Sequence, residues 1–500
     1  MRPTTSPGPR PNRDRHSTPS PQWAIPALLV SVTKKNKSLL GPVVAALGSP
    51  AALVACGVLL AGCVAQTAPP PQWPPLAKKW YERGKHSYHV GDVEDAELAV
   101  GNALRLLPDH PKVKLLAARV ALAQLEYDRC LELLAGLEGA GAQAARGRAY
   151  WYSGSLDAAA DELEELLQDP EVRDPWAQDI AKLARRGTGR KPFEMTGDML
   201  AVAEMPETGR MALLVPVEVN GEPALGMVAT NVPEAVLDSS AGASASWISL
   251  RFGGRVEVRD VPALAKDLSG LSRQVNAPIK ILLGVNLLRH LNVTFDLAGS
   301  QFVVRTFEPP PPPYATTVHL SYLRGGGMVF RSGFGTEENG PMASLFVDSS
   351  MSFPIALDAQ GWKKAGVAVK DLQPVEGAGS LRQGVVPLMH FGAFEVPELP
   401  GLLDGQLAAA EESLNVDLDG AIGAGLLGAF RVTLADGGRT MWLEDLPRAT
   451  VPAAAPDEPS GPAPDGAATS PADQEPLEAL PLNSPDDLRL SPLDTTPPAP

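Results

Sequence analysis

Positive charge and cysteine are both scarce in this 500-residue chain. Its 43 lysines and arginines are outnumbered by 58 aspartates and glutamates, so the formal net charge is −15. A nucleic-acid-binding protein would carry a basic face, and we therefore expect no nucleic-acid partner. The three cysteines are Cys56, Cys63 and Cys130. Cys130 is predicted to be a small core residue, and we expect no structural disulfide.

Common catalytic and cofactor-binding motifs are also absent from the sequence. We find no phosphate-binding Gly-Lys-Ser/Thr loop, no His-Glu-x-x-His, no Gly-x-Ser-x-Gly elbow and no Cys-x-x-Cys pair. The stretch RGGGM at 324–328 reads as a loop and not as a phosphate cradle. His86 and His89 share a predicted helix face, but no other ligand follows at metal-binding spacing, so a surface pair is favoured. We expect no cofactor and no metal.

Long apolar runs are missing, apart from a short one at residues 51–61 near the N-terminus. Lysines precede this run, and it is too short to span a bilayer as a helix. It ends in LLAGC, which resembles the lipobox of bacterial lipoproteins and implies that Cys63 is lipidated. An ordinary cleaved signal peptide is the alternative.

The lipobox resemblance also implies a location. Residues 1–62 are then a signal peptide with an over-long N-terminal extension, and residues 63–75 are a linker after the lipidated cysteine. Acyl chains such as palmitate would hold the protein at a membrane surface. Because Val64 and not Asp follows the cysteine, the resemblance favours the outer membrane of a bacterial cell envelope, facing the periplasm or the surface.

Small residues recur through residues 76–187 with a period of about 34 residues. They fall in pairs: Gly84 with Ala96, Ala118 with Cys130, and Gly147 with Ala159. Apolar i, i+3, i+4 spacing predicts helices, and small side chains let two helices cross closely. The pattern resembles tetratricopeptide repeats and implies an all-α array that binds a protein or a peptide. The stretch DPWAQDIAKLARR is typical of a terminal helix.

Residues 193–447 have short β-type runs and contain one unit twice. Asn220-Gly221 in the first copy aligns with Asn339-Gly340 in the second. Downstream, 250–262 aligns with 389–400, and 282–304 aligns with 421–443. The copies occupy 193–307 and 317–447, and the proline run within 308–316 predicts a stiff linker.

Each copy resembles a lobe of the retropepsin-like aspartic proteases. The shared features are an Asn-Gly hairpin, an apolar strand ending in an Asp-Thr-Gly-type triplet, a flap hairpin and a closing element that ends in Val-Thr. The resemblance implies an all-β, two-lobed, retropepsin- or pepsin-like domain. In that family two aspartates share one proton, so that one activates water and the other donates to the scissile carbonyl.

The triplets of the two copies differ at their first position, which is the catalytic aspartate in the family. The second copy reads Asp348-Ser349-Ser350, but the first reads Ala229-Thr230-Asn231. The resemblance implies that Asp348 is a retained catalytic position, that Ser349 supplies the hydroxyl that ties the loops, and that Ala229 is a lost catalytic position. Asp348 is predicted to have no partner in its own chain. The alternative is an active aspartic-type endopeptidase whose dyad is completed by a second chain.

Two other aspartates in the first copy are weaker candidates for the missing acid. Asp238-Ser239-Ser240 also spells an Asp-Ser-Ser triplet. It lies opposite Asp358 in the duplication, so Asp238 is predicted to be a strand-end or turn residue. Asp296 closes the first copy and is likewise predicted to be a turn residue.

The C-terminal residues 448–500 are rich in proline and acidic residues, which predicts a disordered tail. The whole pattern predicts a multidomain envelope lipoprotein with a catalytically degenerate, protease-like double lobe. Together with the helical repeats, that lobe pair would bind a protein or an extended peptide in the cleft between the lobes. A purely structural envelope protein is a third possibility.

Overall fold

The computed structural model describes residues 73–206, 212–240, 242–337, 340–375, 380–403 and 407–445. All of them belong to one structural unit, residues 1–446. The predicted signal peptide, Cys63, Asn339 and the predicted tail at 448–500 lie outside the described residues. Within the described ranges, no helix is both long and apolar enough to cross a bilayer.

The N-terminal part of the described chain consists of helices packed in antiparallel pairs. Proline occupies the first turn of three of them, where its missing N–H is not needed. We call helices α1–α7 the helical array: α1 (Pro75–His89), α2 (Val93–Leu106), α3 (Pro111–Ala123), α4 (Tyr127–Leu134), α5 (Ala140–Tyr152), α6 (Leu156–Leu166) and α7 (Pro175–Arg185).

Small residues lie where paired helices cross, as the sequence predicts. A Cβ added to Gly147 would lie 2.5 Å from Leu163 Cδ2, and one added to Gly84 would lie 3.2 Å from the Val100 nitrogen. Cys130, the counterpart of Ala96 and Ala159 in the middle pair, is fully buried, and burial raises the pKa of its thiol to about 12. The prediction that Cys130 is a core residue is confirmed.

The rest of the described chain is mainly β-structure in two lobes. The first lobe contains β1 (Glu194–Gly197), β2 (Leu200–Glu204), β3 (Leu214–Val219), β4 (Glu222–Ala229), β5 (Ala235–Asp238), β6 (Ser246–Phe252), β7 (Val256–Lys266), α8 (Ser269–Val275), β8 (Ile279–Gly284), α9 (Val285–Leu288), β9 (Thr294–Asp296) and β10 (Gln301–Arg305).

The second lobe repeats this arrangement. It contains β11 (Thr316–His319), β12 (Ser321–Leu323), β13 (Gly327–Gly333), β14 (Met342–Asp348), β15 (Ile355–Leu357), α10 (Ala359–Lys364), β16 (Gln373–Pro374), β17 (Arg382–Phe391), β18 (Phe394–Leu403), α11 (Leu407–Leu414), β19 (Gly420–Gly423), α12 (Ala424–Leu427), β20 (Phe430–Ala435) and β21 (Thr440–Asp445). Single 3₁₀ turns cover Val369–Asp371 and Asp436–Gly438.

The strand order shows the duplication directly. The first lobe has the order β3-β4-β8-β5-β7 within its sheet, and the second has β13-β14-β19-β15-β18. In both, the third strand pairs parallel to the second and antiparallel to the fourth. Asn220 and Gly221, at φ +53° and +86°, form the tight turn between β3 and β4. The predicted first Asn-Gly hairpin is therefore present.

A third sheet joins the lobes, in the order β11-β21-β20-β9-β10-β2. Its central pair, β9 with β20, is antiparallel and places Thr294 opposite Thr433. The hydroxyls of these two threonines lie 2.7 Å apart and are buried. The two Val-Thr pairs of the duplicated sequence thus meet at the centre of this sheet and join the lobes.

The helical array shares apolar cores with both lobes. Val100 and Leu116 of the array pack in one cluster with Phe346 of β14 and Leu414 of α11. Trp151 of α5 belongs to a second cluster that includes Leu264 of the first lobe. The array and the lobes therefore bury apolar surface against each other within one unit.

Candidate functional site

Two loops, one from each lobe, are tied together by reciprocal hydrogen bonds. The Thr230 N–H donates to Ser349 Oγ at 3.0 Å, and the Ser349 N–H donates to Thr230 Oγ1 at 2.9 Å. The Thr230 hydroxyl donates to the Val347 carbonyl, and the Ser349 hydroxyl donates to the Val228 carbonyl, each at 2.8 Å. Both side chains are buried. The hydroxyl of each triplet thus bonds the backbone of the other lobe.

The residues that precede these two hydroxyl residues occupy equivalent places. Ala229 ends β4 opposite Gly284 of the parallel strand β8, and Asp348 ends β14 opposite Gly423 of the parallel strand β19. A Cβ added to either glycine would lie 2.2 Å from a backbone carbonyl oxygen of the segment that follows the triplet. Ala229 is therefore the structural counterpart of Asp348.

Asp348 is a buried carboxyl group, with 9% of its surface exposed. Its Oδ1 accepts hydrogen bonds from the Ser350 N–H at 2.9 Å and from the Ser350 hydroxyl at 2.5 Å. Burial raises the pKa of Asp348, although the bonds from Ser350 and the Met351 amide oppose that rise. In the part of the chain that the structure describes, no second carboxylate acts on its pKa.

Ala229 lies in an apolar environment and is 1% exposed. Its neighbours come from β4, β5 and β8 and from the segment that contains α8: Met227, Val236, Leu268, Val275, Ile279 and Leu282. The place where a second catalytic aspartate would stand is therefore buried and lined by apolar side chains.

The face of β14 that carries Asp348 is also covered. Phe346 lies two residues earlier and thus on the same face of the strand. It packs against α11 and the helical array. Helices α8 and α11 occupy equivalent places, before β8 and β19 respectively. A cavity of about 450 Å³ lies elsewhere, lined by Glu94, Arg331 and His390 among others, and reaches neither Ala229 nor Asp348.

The third positions of the triplets meet across the same interface. The Asn231 side-chain amide donates to Ser350 Oγ at 3.0 Å. Asn231 is exposed, whereas Ser350 is half-buried. Asn231 and Ser350 thus add a polar contact beside the central tie.

The other aspartates are structural. Burial alone would raise the pKa of Asp238, but hydrogen bonds from Ser240, the Leu268 amide and Lys280 outweigh it and hold the pKa at about 2. Asp296 accepts the Gly299 N–H at 2.7 Å and pairs with Arg431 at 2.9 Å. Both aspartates stabilise turns, as the sequence predicts.

The histidine pair does not form part of a metal cluster. His89 Nε2 lies 3.2 Å from Asp417 of the second lobe, and His86 is exposed. Among the described residues, no group of three or more His, Cys, Asp or Glu side chains is placed to hold a metal ion.

Glu234 is a buried carboxylate that the sequence analysis did not single out. It is 2% exposed, and its Oε1 accepts the indole N–H groups of Trp151 at 3.0 Å and Trp176 at 3.3 Å. Its Oε2 accepts from the Asn286 amide at 3.1 Å. Burial raises the pKa of this carboxyl group. One carboxylate thus joins the helical array to the first lobe, close to the Ala229 triplet.

Comparison with known proteins finds similar solved structures. No family model matches the chain, and no curated protein does. A tetratricopeptide domain of Arabidopsis OM64 is similar over 22% of this chain and 95% of its own length, at 16% identity and a TM-score of 0.21. A retropepsin-like aspartic protease from Rickettsia conorii covers 27% of this chain and 95% of its own length, at 15% identity and a TM-score of 0.20.

A larger protein resembles about half of the chain. The aspartic proteinase from Irpex lacteus is similar over 50% of this chain and 99% of its own length, at 10% identity and a TM-score of 0.34. Scores this low support no statement about activity.

Proposed function

We propose that the double lobe is an aspartic-protease-like scaffold without a catalytic pair, and that the chain acts by binding a protein or a peptide. The observation that carries this proposal is the equivalence of Ala229 and Asp348 in their sheets. Hydrolysis by this route needs two carboxyl groups that share a proton, one as base and one as acid. A single Asp348 supplies only one of them.

A dyad built from two chains is not favoured by the contacts of Ser349 and Thr230. Both hydroxyl residues already bond the opposite lobe of the same chain. A second chain would have to break these buried bonds, and the tethered first lobe competes at a high effective concentration. An endopeptidase with a dyad from two chains would therefore require the lobes to separate at these bonds, whereas a binding function would not.

Attachment to the cell envelope through a lipidated Cys63 is part of the same proposal and rests on the lipobox-like stretch alone. Intact mass measurement of the purified mature protein tests it. We expect a diacylglyceryl-modified N-terminal Cys63 that is lost in Cys63→Ala, whereas an unmodified mature N-terminus would contradict it.

A peptidase assay tests the loss of catalysis. Purified protein is incubated with a denatured protein substrate between about pH 3 and pH 7, the range in which an aspartate pair works. We expect no cleavage above that of Asp348→Ala, with or without pepstatin, while an authentic aspartic protease digests the substrate alongside. Cleavage that pepstatin blocks and Asp348→Ala abolishes would refute the proposal.

A further inference from the structure

The turn between β12 and β13 lies against the inner groove of the helical array. We define this groove by the first helix of each pair and α7, that is by α1, α3, α5 and α7. Tyr88 of α1 and Leu323 of β12 belong to one apolar cluster, and the ring of Tyr152 in α5 lies against Gly325. Helix α3 also contacts β12. The groove is thus occupied by the chain itself.

Three consecutive glycines make this fit possible. A Cβ added to Gly325 would lie 2.4 Å from the Tyr152 ring, in the array. At Gly326 it would lie 2.5 Å from Pro233 of the first lobe, and at Gly327 it would lie 2.4 Å from Leu414 of the second lobe. The first two glycines therefore face Tyr152 of the array, since a Cβ added to Gly326 would also lie 3.2 Å from the Tyr152 hydroxyl, and the third faces the second lobe.

The arginine at the start of the turn supplies the polar contacts. One Arg324 guanidinium nitrogen lies 3.4 Å from Asp174 Oδ2, and another donates to the Ser413 carbonyl at 2.8 Å. Asp174 also pairs with Arg148 at 3.0 Å, and it caps α7. This carboxylate is therefore held in place by the array before the turn binds.

The first lobe reaches into the same groove beside the turn. Glu234 accepts the indole N–H groups of Trp151 in α5 and Trp176 in α7. The Arg148 guanidinium stacks 3.8 Å above the Trp176 ring. The groove thus contacts a segment from each lobe at once.

We propose that the Arg324-Gly327 turn is an internal ligand of the helical array, which recognises an arginine followed by glycines. While the turn is seated, the groove is closed to outside peptides, because a tethered ligand acts at an effective concentration in the millimolar range. A partner that enters this groove must offer an Arg-Gly-Gly segment and displace the turn. This inference rests on the proposed binding function, to which it adds a surface and a ligand chemistry; the peptidase assay does not bear on it.

A matched pair of glycine variants of the full chain tests the seated turn. Gly325 and Gly335 have almost the same φ, +80° and +83°, but an added Cβ meets Tyr152 at the first and nothing within 4 Å at the second. Gly325→Ala and Gly335→Ala therefore both place an alanine at a positive φ, and only the first clashes with the array.

Hydrogen–deuterium exchange reports the outcome region by region. In Gly325→Ala we expect amide exchange in α5, in α7 and in residues 231–234 to be about tenfold faster or more, with β20 and β21 unchanged. In Arg324→Ala, amide exchange should also become faster in these regions. In Gly335→Ala these regions should match the parent. Equal patterns in the two glycine variants would overturn the proposal.

A peptide added in trans tests the recognition itself. The probe is SYLRGGGMVF, the chain's own residues 321–330, carrying a fluorophore at its N-terminus. We expect it to bind Gly325→Ala but not the parent, and to bind about tenfold more weakly when its arginine is replaced by alanine. Equal binding to the parent and the variant would refute a closed groove. Absence of binding to the variant at about 1 mM, the tethered effective concentration, would refute recognition of this segment.

Discussion

The variant Ala229→Asp is expected to lose about 3–5 kcal/mol of folding stability and to gain no peptidase activity. Ala229 is 1% exposed and surrounded by Met227, Leu268 and Leu282. A carboxylate there is buried, and the described residues of this cluster offer it no charged or polar partner. Burial at this site therefore disfavours the ionised carboxylate that a catalytic pair would need.

Chemical unfolding of Ala229→Asp, Ala229→Asn and the parent at pH 7 measures this cost. The neutral asparagine controls for size, so a greater loss in the aspartate variant reports the charge. Because burial raises the pKa of an introduced carboxyl group, part of the loss should be recovered as the pH falls below that pKa. An aspartate variant as stable as the parent, and active when combined with Asn231→Gly, would show that an open catalytic cleft exists.

The variant Thr230→Val is expected to destabilise the chain by about 2–4 kcal/mol. Valine has the shape of threonine but cannot bond the Ser349 N–H or the Val347 carbonyl, which stay buried. Ser349→Ala should have a comparable effect, because it leaves the Thr230 N–H and the Val228 carbonyl without their partner. The tie between the lobes is thus a main stabilising feature of their interface.

Urea unfolding midpoints measure this effect. Thr317→Val, at an exposed position of β11, is the matched control and should change stability by less than about 0.5 kcal/mol. If Thr230→Val and Thr317→Val unfold at the same urea concentration, the hydroxyl bonds between the two loops do not stabilise the lobe interface and this prediction is wrong.

Features with a local sequence signal could be predicted. The Asn220-Gly221 turn follows from the left-handed backbone that these two residues adopt readily. The helix crossings at Gly84 and Gly147 follow from residue size. The alignment of Ala229 with Asp348 follows from spacing within a duplicated unit, and strand register confirms it.

Features that depend on distant contacts could not be predicted. Glu234 binds two tryptophans that lie 83 and 58 residues away, and nothing in its surrounding sequence marks it. Residues 324–326 form a turn, as predicted, whereas residues 327–328 begin β13, and the three glycines are explained only by neighbours from distant parts of the chain. Residues of the α8 segment pack in one cluster with Ala229, and α11 and the array pack on the face of β14 that carries Asp348. This packing likewise depends on tertiary contacts.

The central claim is that Asp348 titrates alone. Carboxyl carbon NMR of protein labelled at aspartate, with Asp348→Asn for assignment, measures this titration. We expect one protonation step with a pKa above the usual aspartate range, because burial disfavours the charged form. The protonated form then favours folding at low pH, and this contribution is lost as the pH rises through the folded pKa. Two coupled protonation steps at Asp348 would show a second acid in contact with it and would contradict the account.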